Sequence, residues 1–204
     1  MDRTEVAGRR RSQLIEATIE VMARKGWQHT SISEVTKEAG VSRGLASYHF
    51  KDKADLLSAV LRECRTQFTE AILAATADGS PSDYLRNIIR LGVRQIREAP
   101  GVFQVFLHFA ASAPSVPELG DEVRALWRDF RGGAAQGIRT GQAEGAYRSD
   151  VDADAAAAQL IGSLIGLAWQ WLLDPGGFDL DTAGRLLEEQ FVTDLTRTTA
   201  ASEG

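Results

Sequence analysis

Ser42-Arg43-Gly44-Leu45-Ala46-Ser47-Tyr48-His49-Phe50-Lys51-Asp52-Lys53 is the stretch on which the reading of this 204-residue chain turns. Just upstream, Ser31-Ile32-Ser33-Glu34 has the pattern of a capping box, in which a hydroxyl and a carboxylate satisfy the orphan N–H groups of a first helical turn. The helix it starts is short, because Gly40 closes it within three turns. Val41-Ser42 follows, and Ser42 can cap a second short helix running to about His49. Asp52 can then cap a long helix from Lys53 to about Thr76, with Leu56, Leu57, Val60, Leu61, Cys64 and Phe68 on its inner side.

Outward from this centre nearly every segment repeats at helical period. From Arg10 to Lys25 the residues Leu14, Ile15, Ala17, Thr18, Val21 and Met22 recur at three- and four-residue spacing, and Gly26 ends the run. Asp78-Gly79-Ser80-Pro81-Ser82 is a break. Leu85, Ile88, Ile89, Gly92, Val93 and Ile96 then mark an amphipathic helix stopped by Pro100, and Val102–Phe109 reads as a helix buried on all sides. Pro114 and Pro117 punctuate before a helix carrying Val123, Leu126, Trp127, Phe130 and Ile138. An Ala-rich helix starts near Asp150 or Asp152 and runs through Leu173, and a last helix holds Ala183, Leu186, Leu187, Gln190, Phe191 and Leu195. The expected class is all-α with about nine helices: an N-terminal three-helix domain over 8–52, a helical domain over 53–198 and a frayed tail over 199–204.

Charge is unevenly spread along the chain. The whole carries a net charge of -5. Residues 1–65 hold twelve Lys and Arg against nine Asp and Glu, and the remainder eleven against nineteen. A basic head on an acidic body points to phosphate contact at one end and a different task at the other. The single cysteine, Cys64, excludes an internal disulfide and fits a reducing cytosol; in a helical pattern it reads as packing. No run of about 18 apolar residues stands out, so no membrane span is expected, and the charged start does not resemble a secretory signal.

The pair of short helices over 31–50 carries the chemistry. Joined by Gly40-Val41-Ser42, they have the geometry that lets a second helix lie in a DNA major groove with its N-terminal residues nearest the base edges. That places Ser42, Arg43 and Gly44 at the bases, where Arg43 can donate a bidentate pair to guanine and Gly44 lets backbone approach closely. Ser47, Tyr48 and His49 lie one turn on, suited to phosphate or base contact. Lys53 adds a phosphate site at a helix N-terminus, and Ser31 joins the set at the head of the first short helix. Phe50 reads as a plug holding the second helix against the first long one.

Residues 10–60 resemble the tetracycline-repressor (TetR) family. The matched positions are Thr30, Val35, Ala39, Gly40, Val41, Ser42, Gly44, Tyr48, His49, Phe50, Lys53, Leu56 and Leu57. The resemblance implies phosphate contact by Thr30 and Lys53 and DNA contact by Arg43, Gly44, Tyr48 and His49. Ala46 and Ser47 depart from the commonest pattern, and the Ser47 change resembles the betaine-type subgroup. Gly141-Gln142-Ala143-Glu144-Gly145-Ala146-Tyr147-Arg148-Ser149-Asp150-Val151-Asp152, followed by the Ala-rich helix, resembles the C-terminal domain of the same subgroup. That family pairs its last two helices with a symmetry mate. Leu160, Leu164, Leu167 and Trp171, with Leu187, Phe191 and Leu195, could supply that seam, or could be core of the same chain. A homodimer would let two copies reach the two halves of a palindromic operator.

Phe103, Gln104, Phe106, His108, Trp127 and Trp169 form the candidate ligand pocket, aromatic walls with a few polar groups for a small-molecule effector. Gly133, Gly137, Gly141 and Gly145 recur every four residues. They make either a packing groove within the subunit or a loosely packed strip that shifts when ligand binds; on the second reading Gly137→Ala and Gly141→Ala stabilise the fold and blunt the response. No catalytic motif is present, no Cys, His and carboxylate set has metal-ligand spacing, and no cofactor is implied. The function expected is a cytoplasmic repressor released from its operator by the effector. The alternatives are an activator of the same family, or a helical ligand- or protein-binding module without specific DNA binding.

Overall fold

Helical periodicity becomes nine α-helices among the residues described by the computed structural model, which are 3–26, 29–77, 79–112 and 117–196. In chain order they are α1 (Arg3–Lys25), α2 (Ile32–Glu38), α3 (Arg43–His49), α4 (Lys53–Thr76), α5 (Pro81–Glu98), α6 (Pro100–Ser112), α7 (Pro117–Ala143), α8 (Ala153–Leu173) and α9 (Leu180–Thr196). The expected tail over 199–204 lies outside the described residues.

Packing divides the helices into two compact units, one of the chain up to Phe68 with Ala99–Leu126, the other of Thr69–Glu98 with the chain from Trp127 onward. The division does not fall between Asp52 and Lys53. Leu56, Leu57, Val60, Leu61 and Cys64 of α4 are buried in the first unit, so the two short helices share their core with the start of the long helix that follows them.

In the first unit α1 is the spine, packed against α2, α3 and α6. Leu14, Ile15, Val21 and Met22 are fully buried at the spacing that puts them on one helical face. Thr18 on that face is also buried, and its hydroxyl donates to the Leu14 carbonyl at 2.6 Å, so burial leaves no orphan donor. Pro100 starts α6 rather than merely stopping α5, a position where the missing N–H has no helical partner to lose. α6 is not buried on every side. Phe103, Val105, Phe106 and Phe109 face the core, whereas Gln104 is half-buried and His108 and Ala111, four and seven residues on, are exposed.

In the second unit α5 packs on α8 and α9, and those two on each other. Gly184 of α9 admits Val93 of α5, and Leu164 of α8 rests on Gly92. α8 is long and apolar enough, by length and composition, to cross a membrane, which the expectation from apolar run length did not anticipate. Its Ala153, Ala156, Ala157, Leu160, Leu164 and Ala168 are buried within this unit, and the larger part of the helix is not.

Candidate nucleic-acid interface

The two short helices are held by local hydrogen bonds that the sequence supplies in full. The Ser31 hydroxyl accepts from the Glu34 N–H at 3.2 Å, and Glu34 also pairs with Lys25 of α1. That ammonium is the main reason the Glu34 carboxyl is held below the usual carboxylate range. Arg24 reaches Glu38 at 2.5 Å, so two ion pairs tie α1 to the ends of α2.

At the turn, Gly40 adopts φ 62°, and its N–H bonds the Lys37 carbonyl at 3.3 Å while the Val41 N–H bonds that of Thr36 at 3.0 Å. This is a Schellman motif, which needs a left-handed residue and therefore favours glycine. Gln13 of α1 donates to the Ala39 carbonyl at 2.7 Å and pins the turn from beneath. Ser42 then caps α3, its hydroxyl accepting from the Leu45 N–H at 3.2 Å.

α3 buries Ala46 and is followed by buried Phe50, with the Arg11 guanidinium 5.4 Å from the centroid of the Phe50 ring. The small Ala46 is what lets so short a helix lie close on its support. Apart from half-buried Leu45 and His49, the rest of α3 turns outward. Ser42, Arg43, Gly44 and Ser47 are exposed, and Tyr48 is 77% exposed. His49 is half-buried with its ring edge-on to Tyr48 at 5.0 Å, and its Nε2 is buried without a hydrogen-bond partner. A Cβ on Gly44 would meet only the Ser42 hydroxyl, at 3.9 Å, so the chain itself has no need of glycine there.

Two flanking residues differ in what they can offer. Lys53, at the start of α4, is half-buried; burial lowers its pKa and the charge of Glu34 opposes that shift. Thr30 is buried, and its hydroxyl donates to the Gly26 carbonyl at 2.9 Å. Its proton is committed inward.

Of the expected pocket residues, Phe103, Gln104, Phe106 and His108 share α6 in the first unit, with Phe103 edge-on to Phe68 at 5.7 Å. Trp127 and Trp169 belong to the second unit, and Trp169 is 49% exposed. Of the expected seam, Leu160, Leu164 and Leu195 turn into the unit's own core. Leu167, Trp171, Leu187 and Phe191 stay partly open, beside exposed Leu173 and Leu186.

Three features were not found by reading the sequence. Gln13 and Arg11 brace the turn and Phe50, although the helical spacing of Arg10, Gln13 and Leu14 was visible. In the second unit, Glu188 is buried and held by Arg90 through two hydrogen bonds, at 2.8 and 2.7 Å, and by Arg86 at 3.0 Å. These arginines border a groove of about 440 Å³ between α5 and α9, with Arg94, Arg97 and Arg185 on its other walls. Arg86, Arg90 and Arg94, four residues apart along α5, were the available signal. Among the described residues, no group of three His, Cys, Asp or Glu could hold a metal ion.

A capped pair of short helices, the second presenting its polar end outward from a helical support, defines the class of helix-turn-helix regulators. The model of bacterial regulatory proteins of the tetR family matches residues 14–60, and that of the BetI-type transcriptional repressor C-terminal region matches residues 81–196, more than half of the chain. The chain belongs to the TetR family, with a C-terminal region of BetI type. The family is one of transcriptional regulators, not enzymes.

The HTH-type transcriptional regulator BetI of Klebsiella pneumoniae is 34% identical over 113 residues, and that of Escherichia coli K12 is 33% identical over the same length. Each match covers 54% of this chain and 58% of the relative. A protein from Saccharomonospora viridis, described as a transcriptional regulator and solved in complex with choline, superposes with TM-score 0.83 at 24% identity, over 92% of this chain and 98% of that one. The regulator FadR from Bacillus subtilis, in complex with stearoyl-CoA, gives 0.81 at 21% identity, over 90% and 98%. At these identities the two structures share the fold.

Proposed function

We propose that the chain is a sequence-specific DNA-binding repressor that holds a palindromic operator as a homodimer and releases it when a small-molecule effector binds. Gly44 is the observation that carries this reading. No neighbour in the chain requires a glycine in this first turn of α3. Its use is to let a partner come close, and the exposed Ser42, Arg43, Ser47 and Tyr48 around it offer donors at the spacing of base edges and phosphates. His49 stands beside them half-buried, with its Nε2 enclosed by the chain rather than offered to DNA. Lys53 and Ser31 serve phosphates at two helix starts. Thr30 serves by fixing the segment before α2, its hydroxyl being spent on Gly26.

The outer faces of α8 and α9, with Leu167, Trp171, Leu187 and Phe191, are the proposed dimer seam. Leu160, Leu164 and Leu195 support it from within. The effector is proposed to act on α6, whose Gln104 and His108 face outward beside the buried Phe103 and Phe106. Choline and stearoyl-CoA, bound by two proteins of this fold, have little chemistry in common, so the fold does not choose the effector. An operator binder works in the compartment that holds the DNA, here the bacterial cytoplasm.

Selection of bound fragments from the source genome, followed by titration against salt, tests the reading. A repressor selects a palindrome, and its affinity falls linearly with salt on a log–log scale as counterions are released. Binding indifferent to sequence and salt overturns it in favour of a module without specific DNA binding.

A further inference from the structure

α1 begins well before the core does. Among its described side chains the first buried one is Leu14, so Glu5 to Gln13, about 13 Å of helix, packs on little. Glu5, Gly8, Arg9, Arg10 and Ser12 are exposed, and Val6 is 41% exposed. So short a helix has small stability of its own in water, and this one contributes almost nothing to the core. It carries Arg3, Arg9, Arg10 and Arg11 against Glu5. It also lies outside residues 14–60, where the family's N-terminal model matches.

Its placement is fixed at two points. Arg10 donates to the Gln13 carboxamide at 2.9 Å, and Gln13 in turn holds the Ala39 carbonyl at the turn leading into α3. Arg11 lies over Phe50, directly after α3. Arg9 and Arg10, four and three residues before Gln13, therefore share the helical face that meets the turn, one helical turn further from the core. Arg9 makes no hydrogen bond or ion pair among the described residues. A cation left unpaired beside a DNA-reading helix end has an evident partner in the flanking phosphates.

We infer that the first three turns of α1 form a helical basic arm that lies on the DNA backbone next to the half-site, with Arg9 and Arg10 each neutralising a phosphate. The arm adds affinity without reading sequence. The inference rests on the proposed DNA-binding function and extends it to residues outside the helix-turn-helix.

The test uses the full chain and a duplex carrying the palindrome that the wild-type chain selects. Wild type, Arg9→Ala/Arg10→Ala and Arg9→Lys/Arg10→Lys are titrated across a salt series, with melting curves to establish that all three fold. At roughly 0.9 in the log–log slope per phosphate, the alanine variant loses about 1.8 per bound chain and binds ten-fold or more weakly near physiological salt. Its ranking of operator variants is unchanged, and the lysine variant restores the slope. A slope unchanged in the alanine variant overturns the arm and leaves the regulator reading standing. A wild-type chain that selects no palindrome overturns both.

Discussion

Tyr84 of α5 lies across Gly137 of α7 so closely that any side chain on that glycine would overlap its ring, and its hydroxyl donates to the Gly133 carbonyl at 3.0 Å. Tyr147 covers Gly141 in the same way. The four-residue glycine strip is thus a bed for two tyrosines, not a loosely packed surface free to slide.

Gly137→Ala therefore destabilises the fold, reversing the expectation from helix propensity. Overpacking costs about 1–3 kcal/mol against about 1 kcal/mol gained in propensity, for a net loss of up to about 2 kcal/mol. Gly132→Ala, where nothing lies within 4 Å, gains up to about 1 kcal/mol. Urea midpoints of the two variants should move in opposite directions.

Gly44→Ala separates folding from binding. No chain atom but the Ser42 hydroxyl comes within 4 Å of the added methyl, so thermal stability holds or rises. Operator affinity should drop, because DNA must approach the backbone there. Equal operator affinity, measured by fluorescence anisotropy, would remove the main support for the proposed function.

Arg43→Ala and Lys53→Ala should weaken binding in distinguishable ways. Losing a bidentate guanine contact costs about 1–3 kcal/mol and relaxes preference at one base pair; losing a phosphate contact weakens all sequences alike and lowers the salt slope by about 1. Competition with single-base operator variants reads the difference.

Glu188 sets an acid limb on stability. Burial works to raise its pKa, but hydrogen bonds and charge from Arg90 and Arg86 outweigh it and hold the carboxyl below its ordinary value. A depressed folded-state pKa contributes stability that is fully present above the unfolded value, near 4.3, and is lost as pH falls through the folded value. Glu188→Gln should be less stable at neutral pH by about 1–2 kcal/mol, since Arg86 and Arg90 are open enough to rehydrate. It should also lose less stability than wild type between about pH 4.5 and 3 in denaturant titrations.

Burial, then the nearby Glu63 charge, pushes the Cys64 thiol up to about 12. Native protein should leave a thiol reagent such as DTNB unreacted at pH 8 and release one equivalent only on unfolding. Rapid reaction of the folded chain would contradict the packing of α4.

Local rules carried the sequence reading furthest where the chain makes its own bonds. Ser31, Gly40 and Ser42 state their caps and turn in residue type and spacing alone, and the structure adds only the distances. Period marked Leu14 to Met22 as one face for the same reason. What was not legible depends on partners distant in sequence. Nothing in α7 says that tyrosines from elsewhere fill its glycine strip, and nothing in α9 says that Glu188 meets Arg86 and Arg90, about a hundred residues earlier. Leu160, Leu164 and Leu195 have the same apolar type as Leu167 and Phe191. Only rotation about the helix axis, set by neighbours, sorts core from open face.

α1 is a single unbroken rod of 23 residues, about 34 Å long. One end carries Arg9 and Arg10; at the other, the His108 ring of α6 abuts Gly26. Such a rod is a lever. A tilt of about 5° at the Gly26 end sweeps Arg9 and Arg10, about 25 Å away along the helix, through about 2 Å, most of the length of a hydrogen bond. A displacement too small to disturb any core contact around α6 would thus become, at the far tip, the difference between touching a phosphate and missing it.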